Sequence, residues 1–329
     1  KKINKFNHKI FWNEGLVGAA AIDVTGDPYP DETHKICLNS DAVLFGAVGD
    51  PKYDNDPTAK IRPEEGLLRM RKKLGLYANI RPTYTFDSLL EKSPIKKSII
   101  QGTDLVFVRE LTGGIYFGKR GRNKTDDYAY DTCEYNVNEI KRLAKIGFEL
   151  AMKRSKKLCC IDKANVLETS RLWRQTVQSL EKNYPEVNVS YEFVDAVAMR
   201  LIHSPSYYDV LITSNLFGDI LTDEASVISG SMGLMTSASV GVETSIYEPI
   251  HGSFPQAKGK NIANPLATIL SASMMFERSF HLNEESKLIR DLVNESISNN
   301  IVTKDLSGDG KPFTTTEVGD WIVDRIRKG

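Results

Sequence analysis

Short apolar runs alternate with helical patterns along the whole chain. This is the arrangement expected of an α/β fold containing much parallel sheet. The strand-like runs are 42–45, 104–108, 157–161, 187–194 and 210–213. At their C-terminal ends stand Gly46-Ala47-Val48-Gly49, Arg109, Asp162-Lys163, Asp195 and Asn215, polar in every case but the first. Open α/β sheets build their sites at those ends. Among the intervening helices, Asn136 is placed to cap one running to about Arg154, with Glu139 completing a capping-box pair. Asn264-Pro265 is a second start signal, with proline expected at the first helical position.

Residues 112–135 break the alternation. Tyr and Phe are interleaved with Gly and charge, and no helical stripe is present, so an extended hairpin arm that contacts another subunit is expected. The length of 329 residues suggests two domains. Lys+Arg and Asp+Glu both total 43. A balanced chain offers no global field for nucleic acid or an anionic membrane, so anion recognition must come from local arginines. Cys37, Cys133, Cys159 and Cys160 have neither disulfide-framework nor zinc-ligand spacing, and Cys159-Cys160 lie in an apolar run as small buried hydrophobes. The apolar stretch around 266–276 is too short and polar to span a bilayer, and the N-terminus lacks the apolar segment of a secretory signal. A soluble cytoplasmic protein is expected.

Two features carry candidate chemistry. Asp219 and Asp223 follow the 208–213 run where the apolar spacing turns helical. They would stand one helical turn apart on one face, about 5–6 Å between Cβ atoms. That spacing allows both to ligate one divalent cation such as Mg2+ or Mn2+. An acidic first turn favoured by the helix dipole is the other reading. The second feature is Arg71, Arg81 and Arg109. Three converging guanidinium forks suit a substrate with more than one carboxylate, whereas singly each would be a surface ion pair.

The motifs EEGLLRMR (64–71), ANIRP (78–82), VRELTGGIYFG (108–118), DKANVL (162–167), VDAVAM (194–199), SNLFGDILTD (214–223), EPIHGS (248–253) and IANP (262–265) span nearly the whole chain. In type and order they resemble the β-decarboxylating dehydrogenases, and within them the branch acting on 3-isopropylmalate. The resemblance implies a two-domain α/β fold of the isopropylmalate/isocitrate dehydrogenase type, not the Rossmann fold, with a β-arm at a homodimer interface. It implies a first domain from residues 1–76 and 230–329 with most of the cofactor site. A second, 77–229, would carry the substrate and metal site, the arm and the dimer interface.

The same resemblance implies NAD as cofactor, a Mg2+ or Mn2+ ion, and NAD-dependent oxidative decarboxylation of (2R,3S)-3-isopropylmalate to 4-methyl-2-oxopentanoate in leucine biosynthesis. Arg71, Arg81 and Arg109 would bind the two substrate carboxylates. Asp219 and Asp223 would hold the metal, with Asp195 supplied by the other subunit and also touching substrate. Lys163, likewise reaching across the dimer, would be the base, and Tyr116 the acid. Leu67, Leu68 and Val166 would form the isopropyl pocket, against which a third carboxylate would be stranded unpaired. Gly49, Glu64, His251, Gly252, Ser253, Gln256 and Asn264 would lie at the dinucleotide.

Two departures from the family pattern stand out. The family opens with a strand and a Gly-Asp-Gly-Ile-Gly-Pro-Glu loop; neither occurs here, and Lys1 corresponds to the first helix, so an exposed first-domain sheet edge is expected. NAD-using relatives place an acidic residue where Gln256 stands; its amide oxygen still accepts from ribose hydroxyls without charge. Lys258 nearby keeps NADP as an alternative. The rival functions are a related enzyme acting on isocitrate, homoisocitrate, tartrate or malate, and an inactive structural homologue.

Overall fold

A computed structural model describes residues 8–54 and 61–328. Their strands are β1 (Val43–Leu44), β2 (Ala78–Tyr84), β3 (Asp104–Glu110), β4 (Arg120–Arg122), β5 (Ala129–Asp131), β6 (Lys157–Asp162), β7 (Asn188–Phe193), β8 (Val210–Thr213), β9 (Thr236–Val240) and β10 (Ile246–Pro249). The chain divides into two compact units, Lys1–Gly75 with Ser231–Gly329, and Leu76–Gly230.

In the Leu76–Gly230 unit the strands run in the order β2-β3-β8-β6-β7. β3, β8, β6 and β7 are mutually parallel, and β2 is antiparallel to β3. The buried strands β3, β6 and β8 read as near-continuous apolar runs, as parallel strands covered on both faces must. The Val137–Lys153 helix covers one face through Ile140, Leu143, Ala144, Gly147, Phe148 and Ala151, spaced at three and four residues. It starts as the sequence predicts: Asn136 Oδ1 accepts from the Asn138 and Glu139 amides, and Glu139 accepts from the Asn136 amide. A second layer gathers Leu105, Phe107, Ile161, Val197, Leu201, Leu211 and Leu221 into one core. β4 and β5 form a separate antiparallel pair inside the 112–135 segment, which is therefore a hairpin.

In the other unit β1 pairs parallel with β10, and β10 antiparallel with β9, leaving β1 at an edge. The Leu266–Arg278 and Asn283–Ser298 helices bury Leu266, Ala267, Leu270, Ile289, Leu292 and Val293. Among the described residues no helix is long and apolar enough to cross a membrane.

Three expectations need correction. Pro265 is the N-cap rather than the first helical residue, and Asn264 Oδ1 accepts from the Leu266 amide, so the helix starts one residue later. The N-terminal stretch expected to be helical lies partly outside the described residues, and residues 8–17 are neither helix nor strand. Phe11 and Trp12 there are exposed, so no apolar face is buried to offset the cost of helix nucleation. Strands β2, β9 and β10 were not expected. Pro82 within β2 argues against a strand, and the small residues of β9 lack the bulk of usual strand formers.

Candidate active site

In the Leu76–Gly230 unit, three neighbouring elements bring the candidate residues together. Arg109 leaves β3 and its stem passes tightly over the Asn215–Ala225 helix. Only glycine fits at 218, because a Cβ there would lie 2.6 Å from Arg109 Cγ. The guanidinium lies along that helix: Nε donates to the Asn215 carbonyl at 3.0 Å, Nη2 to Asn215 Oδ1 at 2.9 Å, and Nη1 to Asp219 Oδ1. The Gly114–Tyr116 turn presents Tyr116, whose hydroxyl donates to Asp219 Oδ2 at 2.6 Å. Arg81 on β2 donates to Asn79 at 2.5 Å and Thr222 at 2.6 Å, and its Nη1 is 3.8 Å from Asp223.

The helix begins at Asn215 with no acidic residue in its first turn. Asp219 stands in the second turn and Asp223 near the C-terminal end, where the dipole disfavours negative charge. The dipole reading therefore fails, and two carboxylates are kept on one face for another reason. Their surroundings push their pKa values in opposite directions. Burial raises Asp219, but Arg109, the Tyr116 hydroxyl and Arg81 outweigh it and hold its carboxyl below the usual 3.8. Burial, opposed by Arg81 and aided by Asp219, raises Asp223. Burial and the bond to Asp219 lift the Tyr116 phenol to about 12, so it keeps its proton at neutral pH.

Lys163, at the end of β6, donates to Asp195 at 2.5 Å, and that bond lowers the Asp195 carboxyl. The pair does not join the Asp219 cluster: among the described residues no three His, Cys, Asp or Glu side chains of one chain could hold a metal ion. Asp219 and Asp223 alone are hard oxygen donors of the right kind, an incomplete set that a further carboxylate would complete. Val166 is exposed.

In the unit containing Lys1–Gly75, the Pro63–Lys73 helix carries Glu64, Leu67, Leu68 and Arg71. Glu64 is exposed, both leucines are half-buried and Arg71 is buried. Arg71 Nη2 bonds Glu248 at 3.0 Å, while its buried Nε has no hydrogen-bond partner among the described residues, a donor suited to a carboxylate. Gly49 faces Ser253 and Glu64: a Cβ would come to 3.2 Å from Ser253 Oγ and 3.4 Å from Glu64 Oε1. The bare backbone thus leaves a cradle beside a hydroxyl and a carboxylate, acceptors that fit the ribose hydroxyls of a dinucleotide. His251 Nδ1 is 2.9 Å from the Gly252 carbonyl, and Gln256 is exposed in the Pro255–Ala257 turn. Asn264 donates to Asp305 at 2.9 Å.

Sequence reasoning missed the partners Asn79, Thr222 and Glu248, and placed Asn215 at a strand's C-terminal end without seeing that it orients Arg109. All four lie inside or beside the quoted motifs, so the signal was present but carried no role.

The chain belongs to the isocitrate/isopropylmalate dehydrogenase family, a class of dehydrogenases that work with a metal ion and a nicotinamide cofactor. The family description "Isocitrate/isopropylmalate dehydrogenase" matches residues 1–322. Among its relatives, a 3-isopropylmalate dehydrogenase of Bacteroides fragilis is 57% identical over 325 residues, 98% of this chain and 91% of the relative. One from Aquifex aeolicus is 49% identical, covering 96% and 88%. A solved isocitrate dehydrogenase from Methylococcus capsulatus superposes with a TM-score of 0.88 at 30% identity, covering 99% of this chain and 93% of that one.

Proposed function

We propose that this chain is an oxidoreductase that oxidises and decarboxylates 3-isopropylmalate to 4-methyl-2-oxopentanoate, with NAD and Mg2+ or Mn2+, in leucine biosynthesis. One observation carries the reading: Tyr116, Asp219 and Arg109 meet in one cluster, with Asp223 one turn further along the same helix face. The identity to 3-isopropylmalate dehydrogenases, well above that to the solved isocitrate dehydrogenase, supports this substrate.

Arg81 and Arg109 bind the substrate carboxylates, and Arg71 joins them through the Nε that now lacks a partner. Leu67 and Leu68, with Val166, take the isopropyl group; a carboxylate in its place would be left unpaired. Asp219 and Asp223 hold the divalent cation together with Asp195 of the other protomer in a homodimer. Glu64, Gly49, His251, Gly252, Ser253, Gln256 and Asn264 hold the dinucleotide. When bound, the cation would supply stabilisation of negative charge on the 2-hydroxyl oxygen, and the nicotinamide would supply the hydride acceptor.

Lys163 takes the hydroxyl proton. In the free chain its ammonium donates to Asp195, and a lysine can act as a base when a carboxylate no longer holds its proton. Loss of CO2 leaves an enolate, and Tyr116 donates its proton to the enolate carbon. Asp219 holds the phenol proton in place until then. The hairpin of β4 and β5, with exposed Tyr128 and Tyr130, and the exposed Met199, Ile202 and Ile220 suit a subunit interface.

The test is formation of reduced nicotinamide, followed by its near-ultraviolet absorbance, with isopropylmalate, NAD and Mn2+. Turnover should exceed that with isocitrate, tartrate or malate. Equal or greater turnover of one of those acids would overturn the substrate assignment.

A further inference from the structure

We propose that Asn215 is a positioning residue for the reaction, fixing the Arg109 guanidinium and the turn that carries Tyr116 against one helix end. This rests on the dehydrogenase reading above and deepens it. Asn215 is the first residue of its helix and is 1% exposed. Its side chain faces two ways. Oδ1 accepts from Arg109 Nη2 at 2.9 Å, and Nδ2 donates to the Gly113 carbonyl at 3.2 Å. Its backbone completes the clamp: the carbonyl accepts from Arg109 Nε at 3.0 Å, and the amide donates to the Tyr135 hydroxyl at 2.9 Å.

The Gly113 carbonyl belongs to the residue immediately before the Gly114–Tyr116 turn. That turn is gripped from its other side. The buried Glu110 carboxylate accepts from the Thr112 and Gly113 amides, each at 2.7 Å. The Tyr135 ring lies so close that a Cβ on Gly113 would come within 2.8 Å of it. Asn215 is thus where the strand bearing Arg109, the turn bearing Tyr116 and the helix bearing Asp219 and Asp223 are tied together.

The chemistry requires an amide. An acceptor must face a guanidinium and a donor must face a carbonyl, and only Asn carries both on so short a stem. The two branches should separate in kinetics. The acceptor acts through Arg109 on substrate binding, and the donor acts through the Gly113 turn on Tyr116 and proton delivery. Asn215→Asp keeps the first and sets a carboxylate against the Gly113 carbonyl. Asn215→Ala loses both.

The experiment compares both variants with the unmodified protein by steady-state kinetics with isopropylmalate, by thermal unfolding, and by the Arg109 Nη resonances in labelled protein. Expected for Asn215→Asp is a kcat lowered about tenfold with KM within about threefold. Asn215→Ala should raise KM about tenfold as well. Arg109 should show separate, slowly exchanging Nη resonances in the unmodified and Asp proteins, coalescing in the Ala protein. The proposal is overturned if Asn215→Ala changes neither KM nor kcat by more than about twofold, or if KM and kcat fall together in both variants in step with stability. Should Asn215→Ala not fold, the Asp variant alone decides by its kcat-against-KM split. Should the unmodified protein not turn over isopropylmalate, the functional reading fails, and the resonances still decide whether Asn215 holds Arg109.

Discussion

Replacing Tyr116 by Phe removes a single oxygen and, with it, the hydroxyl bond to Asp219. The hydroxyl donates to Asp219 Oδ2 at 2.6 Å, and burial with that bond lifts its pKa to about 12. The phenol therefore keeps its proton at neutral pH, and on the proposed mechanism that proton goes to the enolate carbon. Loss of a positioned general acid costs about 10²–10⁴-fold. Stability should change far less. A hydrogen bond to a charged group contributes about 1.5–3 kcal/mol when buried, and here the low end applies because the Asp219 side chain is 36% exposed.

Hydride loss precedes protonation, so the variant should still form reduced nicotinamide in a single turnover while steady-state kcat falls about 10²-fold or more. Rapid-mixing absorbance against steady-state rate measures that split, with KM for isopropylmalate little changed. A Tyr116→Phe protein whose steady-state rate stays within about twofold of the original would refute the role. The pH sense is fixed as well. A phenol with a raised folded pKa contributes stability that is complete below about pH 10 and lost as pH rises toward about 12.

Further outcomes follow from the same geometry. Lys163→Ala and Asp219→Asn proteins should each be inactive, yet refolding them together should restore about a quarter of the activity, because one site in each mixed dimer is intact; no recovery would exclude shared sites. Since burial raises Asp223 and a proton competes with the cation, Mn2+ affinity measured by calorimetry should weaken as pH falls, beginning at pH values above the usual aspartate range. Affinity unchanged down to about pH 4 would contradict that assignment. Leu67→Asp should lower kcat/KM for isopropylmalate about ten- to a hundredfold and leave malate, which lacks the isopropyl group, nearly unaffected; parallel losses would remove Leu67 from the pocket. Gly66→Ala should lower the melting temperature despite alanine's helix preference, because its Cβ would lie 2.3 Å from the Pro28 carbonyl oxygen; an unchanged or raised value would show that the helix shifts freely.

Much was legible in the chain because its signals are local. The capping box at Asn136 and the strands ending at Glu110, Asp162, Phe193 and Thr213 are written in a few adjacent residues. The two aspartates on one helix face follow from helical spacing alone. Less legible were elements whose residues carry no local preference. β2 forms despite Pro82, and β9 forms from small polar residues, each because a neighbouring strand supplies the hydrogen bonds.

The alternation of strand and helix, the two families of charged groups and the motif order were decided by the chain itself. The choice between a dipole-stabilised acidic turn and a paired site was not; it needed the helix start at Asn215. Only tertiary structure set Arg71 on Glu248, Arg81 on Thr222 and Arg109 on Asn215, partners 177, 141 and 106 positions apart. The reason is physical: periodicity fixes which way a side chain faces, whereas a hydrogen bond needs both partners placed within tenths of an ångström, and distant segments acquire that placement only by packing.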